Sequence, residues 1–171
     1  MDKRLYFQVE TALNRILLKR SSVILSCVKP SIHQRIDSIN KNSEKELSLY
    51  DYIMSFVRRL KNPCFIKKSG KISEPEFYEY ALVDKTTWSN IRNNIGYPSK
   101  KSLLKLIFAL RLNEEEANLL MKKGSSSLNT LDPRDRVVLA LIDLKIYDKE
   151  SVYDVLEEYG KNGAVKFENI Y

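Results

Sequence analysis

The sequence predicts an all-α protein, and three observations carry that prediction. Apolar residues recur at i, i+3, i+4 and i+7 in most stretches between breakers. Cap-type residues stand where those stretches begin and end. Only residues 165–171 look like a short strand or a frayed tail. The composition agrees: 43% hydrophobic, 30% charged, 5 Gly and 5 Pro describe a chain that buries a core and is neither disordered nor collagenous. At 171 residues it has room for one domain, or a small domain with an extension.

The elements follow in order. Leu5, Val9, Ala12, Leu13, Ile16 and Leu17 form a helical stripe over residues 2–20, with Asp2 as N-cap. Ser21 to Val28 either continues this helix or turns extended before Lys29-Pro30 breaks it. Ile32, Ile36 and Ile39 suggest a short helix, and the polar run Asn40 to Glu46 reads as a linker. Leu49, Ile53, Phe56, Val57 and Leu60 form the next stripe, ended by Asn62-Pro63 and followed by the basic loop Lys67-Lys68-Ser69-Gly70-Lys71. Ser73 is placed to cap a short helix with Pro75 in its first turn and Phe77, Tyr78, Ala81 and Leu82 as apolar positions.

Val83-Asp84 then forms a tight junction, with Asp84 as N-cap of a helix over residues 85–93 that carries Trp88 and Ile91 on one face. Ser99 caps the following helix, with Leu103, Leu106, Ile107 and Leu110 inside. Asn113 with Glu116 makes a capping box, and Lys122-Lys123-Gly124 a basic last turn and C′ glycine, so residues 114–123 are a helix. Asp132-Pro133 opens a helix with Val137, Val138, Leu141 and Ile142 as its core face. Asp148 opens the last, through Val152, Val155, Leu156 and Tyr159, stopped by Gly160. Three segments result: an N-terminal helical extension (1–46), a central helical unit (47–124) and a C-terminal helical pair with tail (125–171).

The residue inventory argues against most enzyme classes. One histidine (His33), two separated cysteines (Cys27 and Cys64) and five scattered glycines leave little material for a His-based triad, a Cys/His zinc site or a phosphate loop, so no metal, cofactor or catalytic group is expected. Asp132, Asp135 and Glu114 to Glu116 read as helix N-terminal acids. Gly160-Lys161-Asn162-Gly163 has the GXXG spacing of a KH loop without its strand context, and helix capping explains it better. No stretch approaches the ~20 apolar residues of a membrane span, and a cytoplasmic protein is expected.

Charge is unevenly spread. The net +7 resolves into 9 basic and 5 acidic residues in 1–46, 14 and 8 in 47–124, and 6 and 9 in 125–171. A positive field over the first three quarters attracts polyanions, although a modest excess also occurs in ordinary soluble proteins.

The order and lengths of the helices between Leu47 and Gly124 resemble the lambda-repressor-like (XRE-type) helix-turn-helix domain. The similarity is closest at Tyr78 to Arg92, at Tyr97-Pro98-Ser99-Lys100 and at Ala109 to Glu116. It looks especially like the variant at the C-terminus of some bacterial macro-domain proteins, where it runs on through two more helices, here 133–159. The chain departs from that pattern in having Leu82 where relatives place Gly in the turn, a longer Pro63–Lys71 stretch, and Asn93 where many carry Glu. The resemblance implies a lambda-repressor-like bundle whose second motif helix, 85–93, lies in a DNA major groove, in a regulator from a bacterium, phage or mobile element.

On that helix Thr86, Ser89, Asn90 and Asn93 lie opposite Trp88 and Ile91, flanked by Lys85 and Arg92. Asn suits adenine edges, Thr and Ser several bases or phosphates, Lys and Arg phosphate or guanine. A solvent-facing short helix is often rich in the same residue types, so the resemblance tips the balance toward binding. Lys67, Lys68, Lys71 and Lys100 are further candidate phosphate contacts. The expected partner is double-stranded DNA, with RNA a weaker alternative. The rival is a protein-interaction module, an adaptor or inhibitor built on the same fold. The stripe on residues 5–17 lies outside the matched unit and needs a partner surface, either a second copy or residues 133–159.

Overall fold

The structure, a computed structural model, describes residues 3–25, 47–67 and 69–161, without the side chains of 20–25 and 161. The expected N-cap Asp2, the helix through Ile32–Ile39, the 40–46 linker, Cys27, His33, Lys68 and the 165–171 tail lie outside the described residues. The protein is all-α. Among the described residues there are eight helices: α1 (Lys3–Leu25), α2 (Leu49–Leu60), α3 (Glu74–Tyr80), α4 (Lys85–Arg92), α5 (Lys100–Leu110), α6 (Glu114–Lys123), α7 (Pro133–Asp143) and α8 (Lys149–Lys161). None is long and apolar enough to cross a membrane.

Side-chain caps fix most of the starts. Ser48 accepts from the Asp51 amide, Asp84 from Thr87, Ser99 from Ser102, Asp132 from Arg134 and Asp148 from Ser151. Asn113 and Glu116 form the reciprocal capping box. Such a cap is worth about 0.5–2 kcal/mol. Ser73 occupies the N-cap of α3 but makes no side-chain cap bond. Pro75 compensates in part, because its missing amide is one the first turn leaves unpaired in any case.

The ends are less conventional. After each of α2 to α7 one non-glycine residue takes the left-handed conformation: Lys61, Leu82, Asn94, Arg111, Ser125 and Lys145, at φ between 47 and 57°. In five of these the next amide bonds back to the carbonyl five residues earlier, as in Val83 to Tyr78, Leu112 to Ile107 and Ile146 to Leu141. This closure satisfies the orphan carbonyls of the last turn, and it often buries the apolar residue that follows. Val83 and Leu112 are both buried. The turn between α3 and α4 thus adopts positive φ at Leu82 without a glycine.

Gly124 corrects a sequence expectation. It lies at an ordinary φ of −85°, and Ser125 supplies the left-handed residue. What requires glycine at 124 is space: a Cβ there would stand 2.6 Å from Leu103 Cδ1. Gly160 does not stop α8 either, which runs through Lys161. Ser21 to Leu25 continue α1 as helix.

One cluster of buried side chains draws on all three segments, from Val9 and Ala12 through Ile53, Phe77, Leu106 and Leu120 to Val137, Leu141 and Val155. α7 is buried through Val137–Ile142, wider than the four-residue face expected, because α1 packs along it. Leu5, Leu13 and Ile16 close the rim of that contact, whereas Leu17 remains 40% exposed. Arg15 pairs with Asp143 at 2.9 Å, and the Tyr159 hydroxyl donates to Glu10 at 2.6 Å. The stripe of α1 is therefore docked within its own chain.

The Pro63–Lys71 stretch is folded, not a loose basic loop. Ile66 and Ile72 form an isolated antiparallel bridge, the Lys67 amide donates to Lys71 at 3.0 Å, and Gly70 turns the chain at φ 77°. Phe65, fully buried, anchors it edge-on to Phe77 with centroids 5.3 Å apart.

Candidate nucleic-acid interface

α4 is short and two-sided. Trp88 and Ile91 are buried and Thr87 is half-buried; Lys85, Thr86, Ser89, Asn90 and Arg92 are all exposed, as is the C-cap Asn93. The helix therefore turns a continuous set of hydrogen-bonding side chains outward. No carboxylate interrupts it, although 22 Asp and Glu residues occur in the chain. Asn93 Nδ2 donates to Ser89 Oγ at 3.2 Å, which preorients two of them. Hydrogen bonds from Thr87 hold the Asp84 carboxyl below the usual carboxylate range, so the cap stays charged at neutral pH.

The helix is held from behind. Trp88 sits among Tyr50, Phe77 and Tyr78, with ring centroids 5.8, 5.3 and 6.4 Å away. Its indole Nε1 donates to Glu74 Oε2 at 2.9 Å, while the Tyr50 hydroxyl donates to Glu74 Oε1 at 2.8 Å. Arg92 approaches the same carboxylate at 3.6 Å. One glutamate at the start of α3 thus ties α2 and α4 together and sets where the outer face points. Lys105 Nζ donates to the Leu82 carbonyl at 2.7 Å, bracing the α3–α4 turn; burial pushes this ammonium's pKa down.

Two clefts meet at Glu74. One, of about 320 Å³, lies between α3 and α4 and is lined by Pro75, Lys85, Ser89, Arg92 and Asn93. The other, of about 720 Å³, lies between α2 and the Ile66–Ile72 hairpin, with Arg58, Lys61 and Lys67 at its edge. Lys67 lines this second cleft and no residue of α4 does, and Lys71 is exposed on the same hairpin. Lys100 is not a free surface cation: its ammonium lies 2.6 Å from Asp135, which is 2% exposed and also accepts from the Asn129 amide at 2.7 Å. Its role is to join α5 to α7. Asp135 in turn is a buried partner and not merely a first-turn acid.

Residue-type reasoning missed Glu74, Arg58 and Lys61. For Glu74 a signal existed, since a carboxylate at the first position of a helix next to an aromatic-rich face has several donors in reach. For the other two it did not, because their proximity to Lys67 follows from the hairpin. Among the described residues no group of His, Cys, Asp and Glu could hold a metal ion. No protein-family model, curated protein or solved structure matches the chain.

Proposed function

We propose that the protein is a non-enzymatic, sequence-directed DNA-binding protein, of lambda-repressor-like helix-turn-helix type, that inserts α4 into a major groove as a regulator does. The observation that carries this is the outer face of α4: Lys85, Thr86, Ser89, Asn90, Arg92 and Asn93 exposed together, free of carboxylates, on a helix held from behind by Glu74 and Trp88. The excess of basic residues in 47–124 supports it, Arg58, Lys61, Lys67 and Lys71 among them. Asn90 and Thr86 are assigned to base edges and Lys85 and Arg92 to phosphates.

Electrophoretic titration of duplex DNA and RNA at two salt concentrations tests this. Thr86→Ala and Asn90→Ala are expected to cost about 1–3 kcal/mol on a preferred site and to relax specificity there. Lys85→Ala and Arg92→Ala are expected to weaken every duplex alike and to shallow the log K against log salt slope by about 0.9 per lost contact. A folded Thr86→Ala/Asn90→Ala variant that binds all duplexes as the parent does sinks the assignment. One observation favours a protein-interaction module in that event: Ile95 and Tyr97, directly after α4, are 61% and 71% exposed.

A further inference from the structure

The larger cleft has a composition that a phosphate-backbone contact does not require. Met54, Ile66 and Ile72 give it an apolar floor, Tyr50 adds an aromatic wall, and Arg58, Lys61 and Lys67 stand at its edge. None of these three cations has an ion-pair partner among the described residues. The one carboxylate in the lining, Glu74, keeps its charge while it accepts from Tyr50 and Trp88, and its ion-pair partner is Arg92 at 3.6 Å; the three cations outnumber it. The volume of about 720 Å³ falls within the ~300–1,000 Å³ typical of small-molecule sites.

An apolar bed edged by an excess of positive charge complements one kind of ligand: an anionic head on an apolar body. We propose that the cleft between α2 and the Ile66–Ile72 hairpin binds a small amphipathic carboxylate, its head at Arg58 and Lys67 and its body on Met54, Ile66 and Ile72. Inorganic phosphate or a nucleic-acid backbone would use the cations but leave the floor uncovered; a neutral apolar molecule would use the floor and leave the cations unmatched. This site needs no DNA and stands apart from the role of α4.

Isothermal calorimetry of the full chain with octanoate, 1-octanol and acetate tests the proposal without nucleic acid present. Octanoate is expected to bind saturably at one per chain, 1-octanol at least about tenfold more weakly because it loses a charge-assisted hydrogen bond, and acetate at least about tenfold more weakly because it has no apolar body to bury. The exposed Arg58→Gln/Lys67→Gln variant should lose about tenfold in octanoate affinity with an unchanged melting temperature. Lys61 is left intact because it holds a left-handed backbone at φ 47°. Ile72→Ser tests the floor separately and should weaken octanoate but not acetate. The site is disproved if octanoate does not bind, if 1-octanol or acetate binds equally well, or if the folded double variant retains the parent's affinity.

Discussion

Trp88 Nε1 donates to Glu74 Oε2 at 2.9 Å, so the buried face of α4 is anchored by a carboxylate that α3 contributes from its first residue. Two short helices cannot fix their mutual angle by apolar contact alone; α3 has only Phe77 fully buried. A directional bond at the centre of an aromatic cluster supplies what packing lacks. Glu74→Ala removes the acceptor of both Tyr50 and Trp88 and is expected to cost about 2 kcal/mol, because two partly buried donors lose their partner. Glu74→Gln keeps one carbonyl oxygen and should cost about half as much. Urea unfolding followed by the emission of this single tryptophan measures both, and equal costs for the two variants would refute the arrangement.

Gly124 and Leu103 test close approach against backbone freedom. Since φ at 124 is ordinary, Gly124→Ala should by chain entropy alone stabilise by about 0.4–1 kcal/mol. The new methyl would instead meet Leu103 Cδ1 at 2.6 Å, and Leu103 is fully buried, so overpacking of about 1–3 kcal/mol is expected to win. In a Leu103→Ala background the obstacle is gone, and the same substitution should become neutral or stabilising. A double-mutant cycle that shows no change of sign would contradict the contact.

The left-handed helix ends carry a removable cost. Lys145, exposed at φ 57°, pays about 1–2 kcal/mol for a conformation that glycine adopts freely. Lys145→Gly is expected to raise stability by up to about 1 kcal/mol, the glycine's greater unfolded-state entropy offsetting part of the gain. Lys145→Val, with its branched Cβ, should lower stability by about 1 kcal/mol or more. Leu82→Gly in the α3–α4 turn should follow the glycine pattern. Chemical denaturation of the three variants decides it, and a glycine variant that is less stable than the parent would count against the conformation.

Acid stability should depend on Glu116. Its side chain takes a two-pronged hydrogen bond from Arg59, at 2.6 and 3.3 Å, and also receives the Asn113 amide at 3.0 Å. Arg59 first, and the cap bond after it, hold the carboxyl below the usual glutamate range. A folded-state pKa below the unfolded value of about 4.3 means that the contribution is complete above that pH and is lost as pH falls through the folded value. Glu116→Gln should therefore reduce stability at pH 7 and flatten its decline below about pH 4.3. A parallel fall of the two curves across that window would show that Glu116 does not report this linkage.

What the sequence revealed and what it hid divides along a physical line. Helix starts were legible because a cap is a local device: Asp84, Ser99 and Asn113 act on amides two or three residues away. The outer face of α4 was legible for the same reason, since burying Trp88 and Ile91 forces the remaining positions outward. Helix ends are less legible: glycine, the usual marker of a left-handed C-terminal residue, misleads at Gly124, where Ser125 holds that conformation, and Leu82 and Lys145 hold it with no glycine beside them. Phe65 belongs to no helical stripe in the sequence, and its core contact with Phe77 depends on the fold of the Pro63–Lys71 stretch. The partners of Lys100 and Glu74 lie 35 and 14 residues away, and no periodicity reports pairings of that kind.

Lys100 separates a structural cation from a nucleic-acid contact most cleanly. Its ammonium sits 2.6 Å from an Asp135 oxygen that also accepts the Asn129 amide, and the Asp135 side chain is 3% exposed against 39% for Lys100. Removing the cation leaves a buried carboxylate with a single amide donor. Lys100→Ala is therefore expected to cost about 3 kcal/mol, the low end for a broken buried pair, since the lysine itself is partly solvated. Asp135→Asn keeps an acceptor for Asn129 and leaves only a part-exposed lysine unpaired, so it should cost less. In the double variant Lys100→Ala/Asp135→Asn the loss should be well below the sum of the two single ones. A phosphate contact behaves otherwise: Lys100→Ala would then leave stability unchanged and shallow the salt slope of DNA binding by about 0.9. Denaturation and binding measured on the same preparation distinguish the two, and unchanged stability would return Lys100 to the candidate phosphate contacts.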